Sequence, residues 1–432
     1  MLSITSFINK HHTITRIYWR LKLKNKYIIL ENQQSSKRTV WLLVFGIILI
    51  GSNLRAPLTS VGSLIPFIRD DLALTNAIAG SITTLPLIAF ALLSPFVPKL
   101  ANRLGMEWTI FLSMLVLTTG IIVRSLAADV NFLFIGTILI GIAIAFGNVL
   151  LPGFIKMNFP LKIGIMTGVY AVSMNIFGAL GSGLSVPLAG VQGFGWSGAL
   201  AVFASISFLA ILVWIPQLLQ SKISANSITV KKNGNHLWKS GLAWKITLYM
   251  GCQSFLFYTL ITWLPDILRT IGYRSSAAGW MVFLMQFSVI PITFIIPIIA
   301  ERLKNQIGLS IVTACLYATG ILGLLIGHPS IVPISAILIG IASGSAFSLS
   351  MMFFTLRTSD GKQAAALSGM AQSFGYLLAA SGPVLIGGIH DITNSWHIPL
   401  LLLVGVIGLL MLSGIGSGRQ RTVDEKLKTS LQ

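Results

Sequence analysis

Long stretches without a charged side chain dominate this 432-residue chain and limit its fold more than any other feature. Because the apolar core of a bilayer is about 30 Å thick, a helix needs roughly 20 apolar residues to cross it. Only 9% of the residues are charged, whereas an ordinary soluble domain has roughly 25%. The sequence therefore predicts an integral membrane protein and excludes a soluble globular one.

The uncharged windows divide the chain into membrane spans. Two windows are too long for one helix, and each contains a polar or Gly/Pro break, near 192–195 and 328–329. With those two counted as double, the sequence predicts an all-α membrane protein with twelve transmembrane helices. The windows are 39–68, which is interrupted once by Arg55, and 72–98, 108–123, 130–155, 163–221, 246–265, 275–300, 305–356, 363–390 and 392–418.

The basic residues predict how the spans are oriented. Lys and Arg near span ends are retained on the cytoplasmic side, and a cytoplasmic N-terminus places 25 of the 30 basic residues inside. Four lie outside (Arg69, Arg124, Arg269 and Arg274), and Arg55 lies in the membrane. The net charge of +19 is then a topology signal, and no nucleic-acid partner is expected, because the basic residues are not gathered on one face. The chain is predicted to be a multi-pass protein of a bacterial inner or cytoplasmic membrane with both termini cytoplasmic.

An internal repeat at a fixed offset of 199 residues divides the chain into two parallel halves. A parallel repeat of six plus six spans is typical of secondary transporters whose binding site lies at the midplane between halves. We expect six-helix bundles at 39–219 and 241–418, with a basic cytoplasmic arm (1–38), a cytoplasmic linker (220–240) and a cytoplasmic tail (419–432). The repeat aligns Pro66 with Pro265, Gly80 with Gly279, Leu85 with Leu284, Pro98 with Pro297, and the ILIGIA sequence of 138–143 with that of 337–342.

A motif between the second and third spans resembles the cytoplasmic signature of the major facilitator superfamily. In the run PKLANRLGME at 98–107, Arg103 and Gly105 match, while Asn102 stands where the superfamily has Asp. The second copy, PIIAERLK at 297–304, keeps an acidic and basic pair in Glu301 and Arg302. The resemblance implies the major facilitator fold and gating roles for Arg103, Glu301 and Arg302.

Within that superfamily, residues 40–418 resemble the cyanate permease and 2-nitroimidazole transporter family. The resemblance implies a secondary active transporter that works by alternating access. It does not specify the solute, because members of the group are associated with different small molecules. The matching runs are NLRAPLTSVG at 53–62, GNVLLP at 147–152, FY and WLP at 257–258 and 263–265, and LSGMAQS with GYL at 367–373 and 375–377.

Arg55 is the charge that the predicted topology leaves unexplained. An Arg at the centre of a span costs about 2.5–3.5 kcal/mol on insertion scales, so a functional role is the first hypothesis. Helical spacing puts Ser52, Arg55 and Thr59 on one polar face. No acidic residue falls near the middle of a span, so the guanidinium suits a carboxylate-like or other small oxyanion. A guanidinium held only by carbonyls at the Pro57 kink is the structural alternative.

Polar residues on other spans could hydrogen-bond a solute. Ser368, Gln372 and Tyr376 share one face of the eleventh span at intervals of four. The alternative is that such residues tie helices together, with hydrogen bonds worth about 0.6 kcal/mol each. The predicted binding residues are Arg55, Asn53, Thr59, Asn148, Tyr258, Gln253, Gln372 and Tyr376, with Tyr170, Asn175, Thr262 and Gln286 as further candidates.

These features predict a transporter of a small, anionic or polar solute, such as cyanate or another small anion. The alternative is an exporter of neutral heteroaromatic compounds such as nitroimidazoles, favoured by the many aromatic residues. Coupling to a proton or to a counter-solute stays open, and a monomer in the lipid bilayer is expected. The six histidines lie in termini, loops or span ends, and no HExxH or GxSxG motif occurs. We therefore expect no enzymatic activity, no metal site and no cofactor.

Overall fold

The structure, a computed structural model, describes residues 37–74, 76–126, 129–224 and 237–424. Within these ranges every extended regular element is a helix. The basic arm 1–38 and the linker 220–240 predicted above lie mostly outside the described residues, as does part of the tail. The helices are α1 (Lys37–Asn53), α2 (Ala56–Asp71), α3 (Asn76–Leu93), α4 (Val97–Leu104), α5 (Met106–Ser125), α6 (Val130–Asn158), α7 (Ile163–Ala189), α8 (Gly195–Ser224), α9 (Gly241–Thr270), α10 (Ser275–Arg302), α11 (Ile307–Ile326), α12 (Val332–Leu356), α13 (Gly361–Thr393) and α14 (His397–Ser417).

The predicted membrane spans correspond to these helices. Among the described residues, ten spans are long and apolar enough to cross a membrane, the first being Val40–Ile65, which combines most of α1 and α2. An eleventh is formed by the end of α3 with α4, which are bent by 60° at their junction. The 30-residue α9 completes the set. Its middle carries Gln253, Ser254 and Tyr258, which lower its mean hydropathy. The twelve-helix prediction is therefore confirmed.

The first span is broken at its centre. Helix α1 ends at Asn53 and α2 begins at Ala56, with Arg55 between them at φ −130° and ψ −38°. Pro57 has no N–H to donate to the carbonyl of Asn53, so the hydrogen-bond ladder is interrupted there. Neighbouring helices can satisfy the freed backbone groups of such a break in a membrane span. The break thus places Arg55 at the start of a new helix.

The repeated ILIGIA sequence has the same packing role in both halves. Its glycine in α6, Gly141, lies so close to α3 that a Cβ there would be 2.9 Å from Cα of Pro86. Its counterpart in α12, Gly340, lies against α10, where a Cβ would be 2.1 Å from the carbonyl oxygen of Met285. The two glycines and their two contacts are each separated by the same 199 residues. The sequence repeat is therefore a structural repeat.

The helical bundle has two opposite ends, called face A and face B. Face A is the end that carries Arg103, Lys156, Glu301 and Arg357, and face B is the opposite end, which carries Asp129. The contacts described here lie within the compact unit Gly46–Gln432. Residues up to Phe45 belong to a separate unit, of which the structure describes the first turns of α1.

Candidate functional site

A cavity of about 240 Å³ lies between the two halves of the protein. Much of its lining consists of positions that the 199-residue repeat makes equivalent, so both halves contribute the same parts of the same helices. Their chemistry differs, because the charged residues of the lining lie in the first half. Seven such pairs line the cavity: Leu54 and Gln253, Arg55 and Ser254, Leu58 and Phe257, Thr59 and Tyr258, Leu87 and Gln286, Phe90 and Val289, and Asn148 and Phe347.

Arg55 is held in place from both halves. Its Nη1 donates a hydrogen bond to Oδ1 of Asn175 on α7 over 2.7 Å. Its aliphatic stem packs on Gly178, where a Cβ would come within 3.0 Å of Cγ and Cδ of Arg55. From the second half, the ring of Phe257 lies 5.4 Å from the guanidinium carbon, within cation–π range. The half-buried head of Arg55 is therefore fixed at the cavity wall.

Five of the described residues that line the cavity are aromatic. The rings of Phe90 and Tyr376 come from different halves and pack with their centres 5.1 Å apart. The rings of Phe257 and Tyr258 meet edge to face at 5.4 Å, and Phe347 also lines the cavity. Such rings contact the flat face of a planar solute well.

The cavity lining is positively charged. Among the described residues that line it, two are cationic, Arg55 and Arg124, and none is Asp or Glu. Arg124 corrects the sequence analysis, which placed it outside the membrane as a topology residue. It lies in the last turn of α5, is 1% exposed, and donates from Nη1 to the carbonyl oxygen of Pro57 over 2.8 Å.

Six of the eight predicted binding residues line the cavity, namely Arg55, Thr59, Asn148, Tyr258, Gln253 and Tyr376. Besides Arg55, three of these already have hydrogen-bond partners within the protein. The hydroxyl of Thr59 donates to the carbonyl of Gly178 over 2.7 Å, and Oδ1 of Asn148 accepts from the Tyr170 hydroxyl over 2.8 Å. Nε2 of Gln253 donates to the hydroxyl of Ser254 over 2.7 Å.

The other two predicted residues, Asn53 and Gln372, do not line the cavity. Nδ2 of Asn53 donates to the carbonyl of Leu49 in its own helix over 2.8 Å. Successive residues of a helix are rotated by about 100°, so the side chains of Asn53 and Arg55 point in different directions, and only that of Arg55 reaches the cavity. Gln372 lies one turn nearer face A than Tyr376. Its Nε2 donates to the carbonyl of Asn148 over 3.0 Å and to Oγ of Ser368 over 2.8 Å, so it joins the halves beneath the cavity.

Further contacts join the halves between the cavity and face A. Nζ of Lys156 donates to the carbonyls of Thr355 and Thr358 and, over 3.1 Å, to Oγ1 of Thr358. Gly153 lies so close to α13 that a Cβ there would be 2.4 Å from the carbonyl oxygen of Gly361. These contacts lie between the cavity and face A.

The three predicted gating residues behave differently from one another. Oε2 of Glu301 accepts the backbone N–H of Gly164 over 2.9 Å and so links the halves. That N–H lies in the first turn of α7, where amide groups lack partners within the helix and attract a carboxylate. Arg103 and Arg302 are exposed, and neither forms an ion pair within the described part of the chain. The acidic and basic neighbours of the second motif are therefore not bonded to each other.

Arg357, just beyond α12, ties the end of α14 to the rest of the second half. Its Nε donates to the carbonyl of Ser417 over 2.8 Å, and Nη2 donates to the carbonyl of Gly418 over 3.0 Å and to Oε1 of Gln306. Burial lowers the pKa of Arg357 to about 10. Arg357 therefore remains charged at neutral pH, as hydrogen bonding to the last carbonyls of a helix requires.

Sequence reasoning missed or undervalued three residues of this site. Asn175 was only a secondary candidate, and Phe257 entered only as part of a family motif. Arg124 could have been found, because its uncharged window, 108–123, is only 16 residues long. A span of roughly 20 residues has to include a charged neighbour of that window.

Comparisons with known proteins agree with this architecture. The Major Facilitator Superfamily profile matches residues 40–383. The uncharacterized transporter YycB of Bacillus subtilis is 47% identical over 392 residues, which cover 90% of this chain and 96% of the relative. The 2-nitroimidazole transporter of Escherichia coli is 41% identical over 383 residues, covering 88% and 96%, and the cyanate transport protein CynX of the same organism is 24% identical over 366 residues, covering 84% and 94%.

A solved structure has the same fold. The proton:xylose symporter XylE, bound to 6-bromo-6-deoxy-D-glucose, superposes with a TM-score of 0.72 over 91% of this chain and 98% of that one. Its sequence identity is 13%. The likeness therefore concerns the path of the chain and carries no information about the solute.

Proposed function

This chain belongs to the Major Facilitator Superfamily and is a multi-span membrane transporter of the group that includes cyanate and 2-nitroimidazole transporters, and from that premise we propose that it carries a small anionic solute anchored by Arg55. The observation that carries the proposal is a fixed guanidinium at a cavity wall where no described residue is acidic. A cation in such a place favours an anionic or strongly polar solute, because no carboxylate neutralises it.

The geometry around Arg55 supports this assignment. One edge of the guanidinium is occupied by Asn175, and the planar head leaves further N–H groups for a solute. Residues that hold Arg55 lie on α7 and α9. A movement between the halves would thus change its surroundings.

The contacts between the halves support a mechanism of alternating access. We propose that face A is cytoplasmic, as the distribution of Lys and Arg predicts. The described conformation then separates the cavity from the cytoplasm through Lys156, Gln372 and Glu301. Opening to the cytoplasm requires that these contacts break, so Lys156 and Glu301 would act as gate residues. The site is complete within one chain, which supports a monomer as the working unit.

A neutral nitroaromatic solute is the second candidate, favoured by the aromatic wall. Phe90, Phe257 and Tyr376 present ring surfaces to the cavity, and a nitro group offers two oxygens to a guanidinium. The relative at 41% identity is named for such a solute. This candidate differs from the first in one measurable respect, since a neutral solute gains much less from the charge of Arg55.

The energy source has two alternatives. Because no described carboxylate lines the cavity, a proton would enter together with the solute as its conjugate acid, or a counter-solute would drive exchange. A pH gradient imposed on proteoliposomes separates them. Uptake that responds to the gradient supports proton coupling, and uptake that responds only to preloaded solute supports exchange.

Uptake by proteoliposomes tests the proposed function. The panel is cyanate, nitrite, benzoate and 2-nitroimidazole, each with wild type, Arg55→Gln and the matched control Arg269→Gln. Arg269 is an exposed cation near face B, 3.7 Å from Asp266 and outside the cavity lining. We expect anion uptake by wild type and by the control, and its loss in Arg55→Gln. Uptake of 2-nitroimidazole alone, unaffected by Arg55→Gln, would favour the second candidate.

A further inference from the structure

A second cation, Arg124, lies at the cavity, and two of the three nitrogens of its guanidinium have no hydrogen-bond acceptor among the described residues. Arg124 is 1% exposed and lines the cavity. Its Nη1 donates to the carbonyl oxygen of Pro57, whereas Nε and Nη2, which are both buried, find no acceptor among the described residues. These two atoms lie on the same edge of the planar guanidinium, and their N–H groups point in parallel.

The acidic residues toward face B of the first half do not neutralise Arg124. On the same half and toward face B, Asp129 accepts from the backbone and side chain of Asn131 at 3.2 and 3.0 Å. Asp71 accepts from Nε1 of Trp196 over 2.8 Å. Within the described residues, Arg124 forms no ion pair. A buried charge without a partner is strongly unfavourable, and an unsatisfied buried donor calls for an explanation such as a bound ion.

The packing of α5 against α6 gives the Arg124 side chain little freedom. A Cβ at Gly136 of α6 would lie 2.5 Å from N and 2.6 Å from Cβ of Arg124. Gly120, one turn earlier in α5, is equally close to α6, where a Cβ would be 3.0 Å from the carbonyl oxygen of Gly136. The two glycines thus bring the helix backbones together at the point where Arg124 turns toward Pro57 and the cavity.

We propose that Arg124 is a second solute-binding residue, whose Nε and Nη2 edge binds a planar oxyanion when a movement at the break between α1 and α2 opens that edge to the cavity. Two parallel N–H donors match two oxygens of a carboxylate or nitrate, a fit that a single-point cation does not provide. The inference rests on the proposed function in that it requires the cavity to accept anions. It narrows the solute class from any small anion to a planar anion with at least two oxygens, such as a carboxylate or nitrate.

Both guanidinium groups are organised by the first turn of α2. Arg55 precedes that helix, and the carbonyl that holds Arg124 belongs to Pro57, two residues later. A change in the break between α1 and α2 would therefore move both cations. Arg124 would then contribute to selection of the solute, together with Arg55.

Binding measurements on the purified protein in detergent test this role. Benzoate and nitrate represent planar oxyanions, and chloride represents a spherical anion. They are titrated by calorimetry into wild type, Arg124→Gln, Arg124→Lys, Arg55→Gln and the control Arg269→Gln. We expect Arg124→Gln to weaken benzoate and nitrate binding at least tenfold, which is the size of one charge-assisted hydrogen bond. Arg124→Lys keeps the charge but should lose most of the preference for planar anions over chloride.

The variants distinguish this inference from the proposed function. If Arg55→Gln weakens anion binding while both Arg124 variants bind within threefold of wild type, the role of Arg124 is refuted and the proposed function stands. If wild type binds no anion, both fail. If only the Arg124 variants weaken binding, Arg124 is the anion-binding residue and the assignment to Arg55 is wrong.

Thermal stability separates binding from a purely structural role. Without added anion, Arg124→Gln removes an unpaired charge, so its Tm should equal or exceed that of wild type. Added benzoate should raise the Tm of wild type and of Arg269→Gln but not that of Arg124→Gln. A fall of more than about 5 °C for Arg124→Gln in anion-free buffer, or failure of that variant to fold, would show that Arg124 serves the packing of α5 and would overturn the inference.

Discussion

Replacing Arg55 by Gln removes the charge from the candidate site while leaving its neighbours largely in place. The Gln amide can still donate a hydrogen bond, as Nη1 of Arg55 does to Oδ1 of Asn175 over 2.7 Å. The shorter side chain also fits beside Gly178, where the stem of Arg55 now packs. We therefore expect the variant to fold and to differ from wild type chiefly in its electrostatics.

The expected loss can be worked from the geometry. An anion on the cavity side of Arg55 would have its charge about 5 Å from the guanidinium carbon. At an effective dielectric constant near 20, the attraction between unit charges at about 5 Å is about 3 kcal/mol. That energy corresponds to roughly a hundredfold in Kd. Arg55→Lys keeps the charge and loses the planar fork, so its effect should be nearer tenfold.

Calorimetric titration of purified protein and uptake into proteoliposomes measure this loss. We expect the Kd of each transported anion to rise about a hundredfold in Arg55→Gln, and initial uptake at low concentration to fall in proportion. The control Arg269→Gln should match wild type. If Arg55→Gln binds every transported anion within threefold of wild type and has an unchanged Tm, the guanidinium does not anchor the solute and the electrostatic reasoning is refuted.

Three further substitutions probe the surroundings of the site, the gate and the second half. In Gly178→Leu the new side chain would displace Arg55, because even a Cβ comes within 3.0 Å of its stem; anion uptake should fall at least tenfold, and normal uptake would contradict the assigned contact. Lys156→Met removes donors to carbonyls of the other half and should widen the path from face A to the cavity. A cysteine introduced at the face A end of the cavity should then react faster with a thiol reagent, and an unchanged rate would exclude Lys156 as a gate. Arg357→Ala should lower the free energy of unfolding by about 2–4 kcal/mol, because buried carbonyls lose charged donors; an unchanged Tm would contradict this.

The helical architecture could be predicted because its cause is local in the sequence. A run of roughly 20 apolar residues has to satisfy its backbone hydrogen bonds internally, and in a membrane that favours a helix. The internal repeat could also be predicted from the sequence, and the glycines of the ILIGIA copies pack against equivalent helices in both halves. Arg55 was recognised for the same local reason, since a lone charge in an apolar run stands out without any tertiary information.

Side-chain direction and helix packing were decided only by the tertiary structure. Asn53 and Gln372 were equally plausible polar candidates, yet one bonds within its own helix and the other joins the halves beneath the cavity. In the sequence Arg124 stands at the end of a span, whereas in the structure it is buried and donates to the carbonyl of Pro57.

By itself, the sequence determined the membrane spans, their internal repeat and the position of Arg55 as a charge within a span, because these depend on composition and spacing along the chain. The lining of the cavity, the contacts that lie between it and face A and the second cation depend on how the helices pack. Packing sets the rotation of each helix about its axis and hence the direction of each polar side chain. A pattern that is periodic along one helix does not contain that information.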